Sequence, residues 1–135
     1  MNRQTRKGGE RLPSVLNDHT SIYLQIARML EDGILRGIYP EETQVPSTNE
    51  LARTLRINPA TGAKGLNLLV EEGILYKRRG IGMFVAEGAA AQIRAKRRKE
   101  FLEQYVKPLA AEARKLGITA EDLQAMVTAA CQQEE

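Results

Sequence analysis

The sequence predicts a mainly α fold with one small β-hairpin, arranged as a winged helix-turn-helix domain followed by a two-helix arm. Three stretches carry that reading. Residues 45–72, VPSTNELARTLRINPATGAKGLNLLVEE, hold two capped helix starts joined by a tight polar break. Residues 74–87, ILYKRRGIGMFVAE, read as two short β-like runs around a cationic turn with two glycines. Beyond Gly88, two further amphipathic patterns follow one another to the C-terminus.

Residues 1–20 mix glycine, proline and charge without periodicity and read as an N-terminal tail. Arg3, Arg6, Lys7 and Arg11 there suit phosphates, but a solvated tail is the plainer reading. The first helix begins at Ser21, with Ser21 or Thr20 as its cap. Ile22, Ile26, Ala27, Leu30 and Ile34 form one apolar stripe, and Gly37 and Pro40 end it. Residues 38–45 read as a polar connection. The second helix opens at Ser47 with Glu50 three residues on, a capping box, and buries Leu51, Ala52 and Leu55. Arg56 and Ile57 make the turn. The third helix opens at Asn58, with Pro59 at its first position, and Gly73 stops it. Its core face is Leu66, Leu69 and Val70. Gly62 and Gly65 inside it each cost about 0.5–1 kcal/mol relative to alanine; close approach of a neighbour or of DNA is one reason for them, and a loosely formed helix that orders on binding is the other.

Ile74–Tyr76 and Met83–Val85 are the strands of the hairpin, with Lys77 to Gly82 as its cationic tip. A helix-turn-helix followed at once by such a hairpin is a winged helix, spanning residues 21–87. The arm, residues 88–135, opens with one long helix to Leu116 whose stripe is Ile93, Phe101, Leu102, Tyr105, Val106 and Leu109. Pro108 should kink it or mark its weak point, and Gly117 closes it. Thr119 caps a last helix whose apolar side includes Leu123, Met126 and Val127. About 45 residues of striped helix cannot build a core alone. These stripes must pack on the first domain or on a partner chain; a dimerisation arm is the more economical reading, with these nine residues, Ile93 to Val127, as the expected surface of a homodimer.

This order of elements points to double-stranded DNA. Ser47, Thr48 and Asn49 at the start of the second helix offer hydroxyls, an amide and free N–H groups to a phosphate. Asn58, Ala60, Thr61 and Lys64 lie on the first two turns of the third helix, where asparagine reads adenine, threonine meets a thymine methyl, and lysine reads guanine or phosphate. Arg78, Arg79, Gly80 and Gly82 form the wing tip beside the backbone. Each of these residues also has a plainer role, as cap, solvated side chain or turn; their co-occurrence in winged-helix order is what favours DNA. A winged helix used only for protein contacts, without DNA binding, is the alternative. It needs an exposed apolar face where this chain puts Lys64, Arg78 and Arg79.

Composition narrows the field further. The chain has 135 residues, 42% of them hydrophobic, and a net charge of +3, enough for one packed domain with an appendage. Aromatics are 4%, too few for base-stacking platforms on single strands. The lone Cys131 cannot form an internal disulfide, which suits a reduced, cytoplasmic setting. No apolar run approaches the roughly 20 residues that span a bilayer, so no membrane association is expected. His19, the one histidine, lies in the tail, so no catalytic triad or metal set assembles with it and no enzyme is expected. No cofactor is implied. A small-molecule effector stays open, with no residue that points to one.

Residues 22–86 resemble the winged-helix domain of the GntR family of transcription regulators. The resemblance rests on Ile22-Tyr23-x-Gln25-Ile26, Gly33-Ile34, Gly37-x3-Glu41, Val45-Pro46-Ser47, Glu50-Leu51-Ala52, Leu68-x3-Glu72-Gly73-Ile74-Leu75 and Arg79-Gly80-x-Gly82-x-Phe84-Val85. Asn58-Pro59-x-Thr61 with Lys64, and the short tail ending Leu116-Gly117-Ile118-Thr119, are similar to the YtrA-type subgroup, which carries a small helical arm in place of a large effector domain. Asn49 stands where the family often has arginine, Ala63 where many relatives outside this subgroup carry a basic residue, Met83 for a common threonine, and Gly62 for a branched apolar residue. The resemblance implies a homodimeric repressor that binds a pseudo-palindromic operator, often of a transporter operon.

Overall fold

A computed structural model describes residues 21–133. The chain divides into two compact units, one ending at Arg94 and the next beginning at Ala95.

The first unit holds α1 (Ile22–Leu35), α2 (Thr48–Leu55), α3 (Pro59–Glu71), β1 (Leu75–Arg78), β2 (Gly82–Val85) and the start of α4 (Ala89–Phe101). Its core is formed by Ile26, Leu30 and Ile34 of α1, Leu51 of α2, and Leu66 and Leu69 of α3. Val45, Ile74, Leu75, Val85, Ala89 and Ile93 complete it. Each fully buried leucine or isoleucine is worth about 1.5–3 kcal/mol over the exposed side chain. Ser21 sits at the N-cap of α1, but its hydroxyl makes no capping bond; its carbonyl instead accepts from the N–H groups of Leu24 and Gln25. Thr20, the other expected cap, and the expected tail lie outside the described residues.

Glycine ends two of these helices in the same way. Ile38 N–H donates to Gly33 O and Gly37 N–H to Ile34 O after α1; Ile74 N–H donates to Leu69 O and Gly73 N–H to Val70 O after α3. These paired bonds are Schellman motifs, and both need a left-handed residue after the cap; Gly37 has φ +82° and Gly73 φ +79°. Between α2 and α3 the left-handed residue is Arg56, at φ 57°, so the chain turns there without a glycine.

The hairpin is antiparallel, with register from Leu75↔Val85 to Arg78↔Gly82. The strands run further than the sequence predicts, because Lys77 and Arg78 stay in the ladder opposite Met83 and Gly82. The tip shrinks to Arg79, Gly80 and Ile81. Residues 42–45, expected as a polar connection, run beside β2, where Gln44 forms an isolated antiparallel bridge with Phe84. Glu42 N–H donates to Val85 O, Val85 N–H to Thr43 O, and Val45 N–H to Met83 O. Backbone pairing of so short and polar a segment leaves no hydrophobic pattern to read.

Two residues beyond the boundary expected at Gly88 pack with the winged-helix elements. Ala89 and Ile93 are fully buried in the first unit's core. Gln92 donates its side-chain amide to Glu72 O, covering the end of α3.

In the second unit, α4 passes into a π-helical turn (Leu102–Val106), then α5 (Lys107–Lys115) and α6 (Ala120–Gln132). The π turn is the physical answer to Pro108, which has no N–H and would clash with the carbonyl four residues back in a regular helix. The wider turn is closed by Lys107 N–H donating to Leu102 O. Gly117 ends α5 in another Schellman motif, and Thr119 caps α6 by accepting from Asp122 N–H at 3.1 Å.

Candidate nucleic-acid interface

The start of α2 is a rigid donor cluster. Ser47 Oγ accepts from Glu50 N–H at 3.1 Å, and Ser47 N–H donates to Glu50 Oε1 at 2.7 Å. That reciprocal pair fixes the first turn. It also uses Ser47 Oγ only as an acceptor, so its O–H proton is still available to an anion. The N–H groups of Thr48 and Asn49 occupy the first helical positions, which have no partner inside a helix.

Across from it stands the wing. A groove of about 340 Å³ is bordered on one side by Pro46, Ser47, Thr48 and Asn49 and on the other by Lys77, Arg78, Gly80, Ile81 and Gly82. Six of the expected DNA-binding residues therefore share one groove. The wing is braced internally. The Arg78 guanidinium lies 4.8 Å from the Phe84 ring centroid, and Phe84 stacks on Tyr76 with centroids 5.9 Å apart. Tyr76 OH donates to Glu42 Oε1 at 2.6 Å. That hydrogen bond raises the Tyr76 pKa above its ordinary 10.0, with desolvation and the Glu42 charge acting the same way and Arg78 opposing.

The start of α3 forms a separate set. Asn58 Oδ1 accepts from Ala60 N–H at 2.8 Å, which leaves the side-chain NH₂ free of the capping bond. Asn58, Ala60 and Lys64 are exposed and Thr61 is half-buried. A shallow depression of about 500 Å³ runs along this face, bordered by Tyr23, Ala60, Ala63, Lys64, Asn67 and Glu71. Lys64 Nζ sits 4.1 Å from the centre of the Tyr23 ring, a cation–π contact that anchors the lysine at this face. Arg79, the remaining expected site residue, is exposed at the wing tip.

Several neighbours of these sites were not among the residues expected from the sequence. Asn67 and Glu71 follow Ala60 and Lys64 at three- and four-residue steps, so helical spacing alone reaches them. Tyr23, Gln44 and Ile81 come from other elements and carry no local signal of this kind.

Of the residues expected at a dimer surface, Phe101, Leu102, Tyr105, Val106, Leu109, Met126 and Val127 are exposed large apolar side chains, and Leu123 is half-buried. The Phe101 and Tyr105 rings lie 5.4 Å apart. Ile93 differs: it has 0% exposure, because it packs into the first unit's core and has no surface to offer. Among the described residues no helix is long and apolar enough to cross a membrane.

Comparison with known proteins bears on this arrangement. Residues 22–85 match the family model for bacterial regulatory proteins of the gntR family. The chain is 31% identical over 104 residues to the HTH-type transcriptional repressor YtrA of Bacillus subtilis, covering 77% of this chain and 79% of that protein. It is 35% identical over 66 residues to the uncharacterized HTH-type transcriptional regulator YurK of Bacillus subtilis, where it spans only 27% of the relative's length. A solved GntR family transcriptional regulator from Listeria monocytogenes superposes with a TM-score of 0.72 at 30% identity, covering 84% of this chain and 97% of that one. The chain belongs to the gntR family of bacterial regulatory proteins.

Proposed function

We propose that this regulator binds a pseudo-palindromic operator in double-stranded DNA as a homodimer, in the cytoplasm, and represses the adjoining genes. The observation that carries the reading is the groove in which the capped start of α2 faces the Arg78–Gly82 wing. A phosphate seated there meets N–H and O–H donors from one wall and cationic side chains from the other. The start of α3, with exposed Asn58, Ala60 and Lys64 and half-buried Thr61, is the major-groove reader. The exposed apolar residues of the second unit, Phe101 to Leu109 together with Leu123, Met126 and Val127, are the surface for a second copy. Similarity to a protein named as a repressor supports repression, and a transporter operon is the regulated target this reading favours.

The test is an electrophoretic shift of a duplex from the region upstream of the chain's own gene, titrated with salt. Log affinity should fall linearly with log salt, as counterion release requires. Lys64→Ala and Arg79→Ala should each weaken binding by about 5- to 150-fold, the effect of losing a base or phosphate contact worth about 1–3 kcal/mol. Both should melt at the wild-type temperature. Wild-type affinity in both variants would refute this placement of the interface, and no salt-sensitive DNA binding at all would favour a protein-interaction module.

A further inference from the structure

Gln44 makes a contact that neither capping nor core packing requires. Its Nε2 donates to the carbonyl of Ile81 at the wing tip, 37 residues away, at 3.0 Å. Its backbone bridges to Phe84 of β2, and from there its side chain reaches the wing tip. Gly82, with φ +147°, packs so closely on the Gln44 amide that a Cβ there would collide with it. Three residues further on, Ser47 caps α2. Between them Val45 is buried in the core and its N–H donates to Met83 O, so this short link is fixed at both ends.

We propose that Gln44 is a positioning residue for DNA binding: it holds the wing tip at a set distance from the phosphate-binding start of α2. This rests on the operator-binding reading above. At the tip no neighbour lies within 4 Å of where a Gly80 Cβ would stand, and the Gln44–Ile81 hydrogen bond is the clasp that ties the tip down. Without the clasp, Arg79 must be ordered at the moment of binding, and its contribution to the electrostatic contact drops. Because the bond is exposed to solvent, it adds little to global stability. Its effect therefore falls on the geometry of the groove rather than on the fold.

The test uses the full chain, a 30-bp duplex from its own upstream region, and fluorescence anisotropy at several salt concentrations. Gln44→Met keeps the length of the side chain and removes the donor. It should weaken binding about two- to tenfold and lower the slope of log affinity against log salt by about one phosphate contact. Its melting temperature should be unchanged. Combined with Arg79→Ala, the effects should be less than additive, since Gln44 acts through the wing. Unaltered affinity and slope in Gln44→Met would overturn the inference while leaving operator binding intact. So would a weakened variant whose slope is unchanged and whose melting temperature falls, which is the signature of a merely structural residue. A wild-type chain that shows no salt-dependent binding would overturn the operator reading first, and this inference with it.

Discussion

Gly62 and Gly65 lie one turn apart in α3, yet they answer to different constraints. A Cβ on Gly65 would stand 3.0 Å from Ile26 Cγ2 and 3.0 Å from the Tyr23 carbonyl oxygen. One of those neighbours is backbone and cannot rotate away, so the α1–α3 crossing depends on the missing methyl. A Cβ on Gly62 would meet Thr48 O at 3.6 Å and Leu51 Cβ at 3.8 Å, ordinary contact distances. Gly62→Ala should therefore stabilise the protein by about 0.5–1 kcal/mol, the backbone entropy recovered in a helix. Gly65→Ala should destabilise it by about 1–3 kcal/mol through overpacking. Thermal melts of the two variants check this: the expected order is Gly62→Ala above wild type above Gly65→Ala, and equal shifts would contradict it. The sequence marks both glycines as costly for a helix. It does not say which one a neighbour demands, because the demand is set by Ile26 and Tyr23, far earlier in the chain on α1.

Among the elements, those whose reasons are local were legible and those held by distant partners were not. The capping box at Ser47 and Glu50, the Asn58–Pro59 start of α3 and the glycine stops at Gly37, Gly73 and Gly117 all depend on residues within one turn, and each stands where the spacing puts it. The pairing of residues 42–45 with β2 exists only because β2 offers its backbone groups as distant partners. The stripe of α4 was legible as a stripe, but periodicity does not say what covers each residue. Ile93 and Phe101 are both apolar and two turns apart, yet Ile93 is fully buried and Phe101 is 57% exposed. Ile93→Ala should consequently cost about 2–5 kcal/mol, as loss of a core isoleucine does. Phe101→Ala should leave the melting of the first unit close to wild type. Urea titration followed by circular dichroism separates the two, and an Ile93→Ala chain as stable as wild type would remove Ile93 from the core.

For the molecule as a whole, the unpartnered apolar surface is the feature with the widest consequence. Leu102 and Leu109 are each 45% exposed, and Phe101, Tyr105 and Met126 are each more than half exposed. Scattered single exposures of this kind are ordinary, but a run of them on a few consecutive turns marks an interaction site. On the proposed dimer a second copy of the chain covers this surface, and a two-fold pair offers two α3 helices to one duplex. The gain from such pairing is one of effective concentration, about 10²- to 10⁴-fold in overall affinity with no new contact to DNA. Leu102→Glu combined with Leu109→Glu puts two carboxylates into that surface, and desolvating them unpaired costs more than the buried area returns. Sedimentation at micromolar concentration should then give a monomer. The first unit, whose core includes neither residue, should melt as in wild type. Binding to the upstream duplex should weaken by about 10²-fold or more while each half-site is still recognised weakly. If the double variant remains a dimer, the pairing surface lies elsewhere; if it becomes a monomer with undiminished affinity, the operator is read by one copy and the two-fold model of recognition fails.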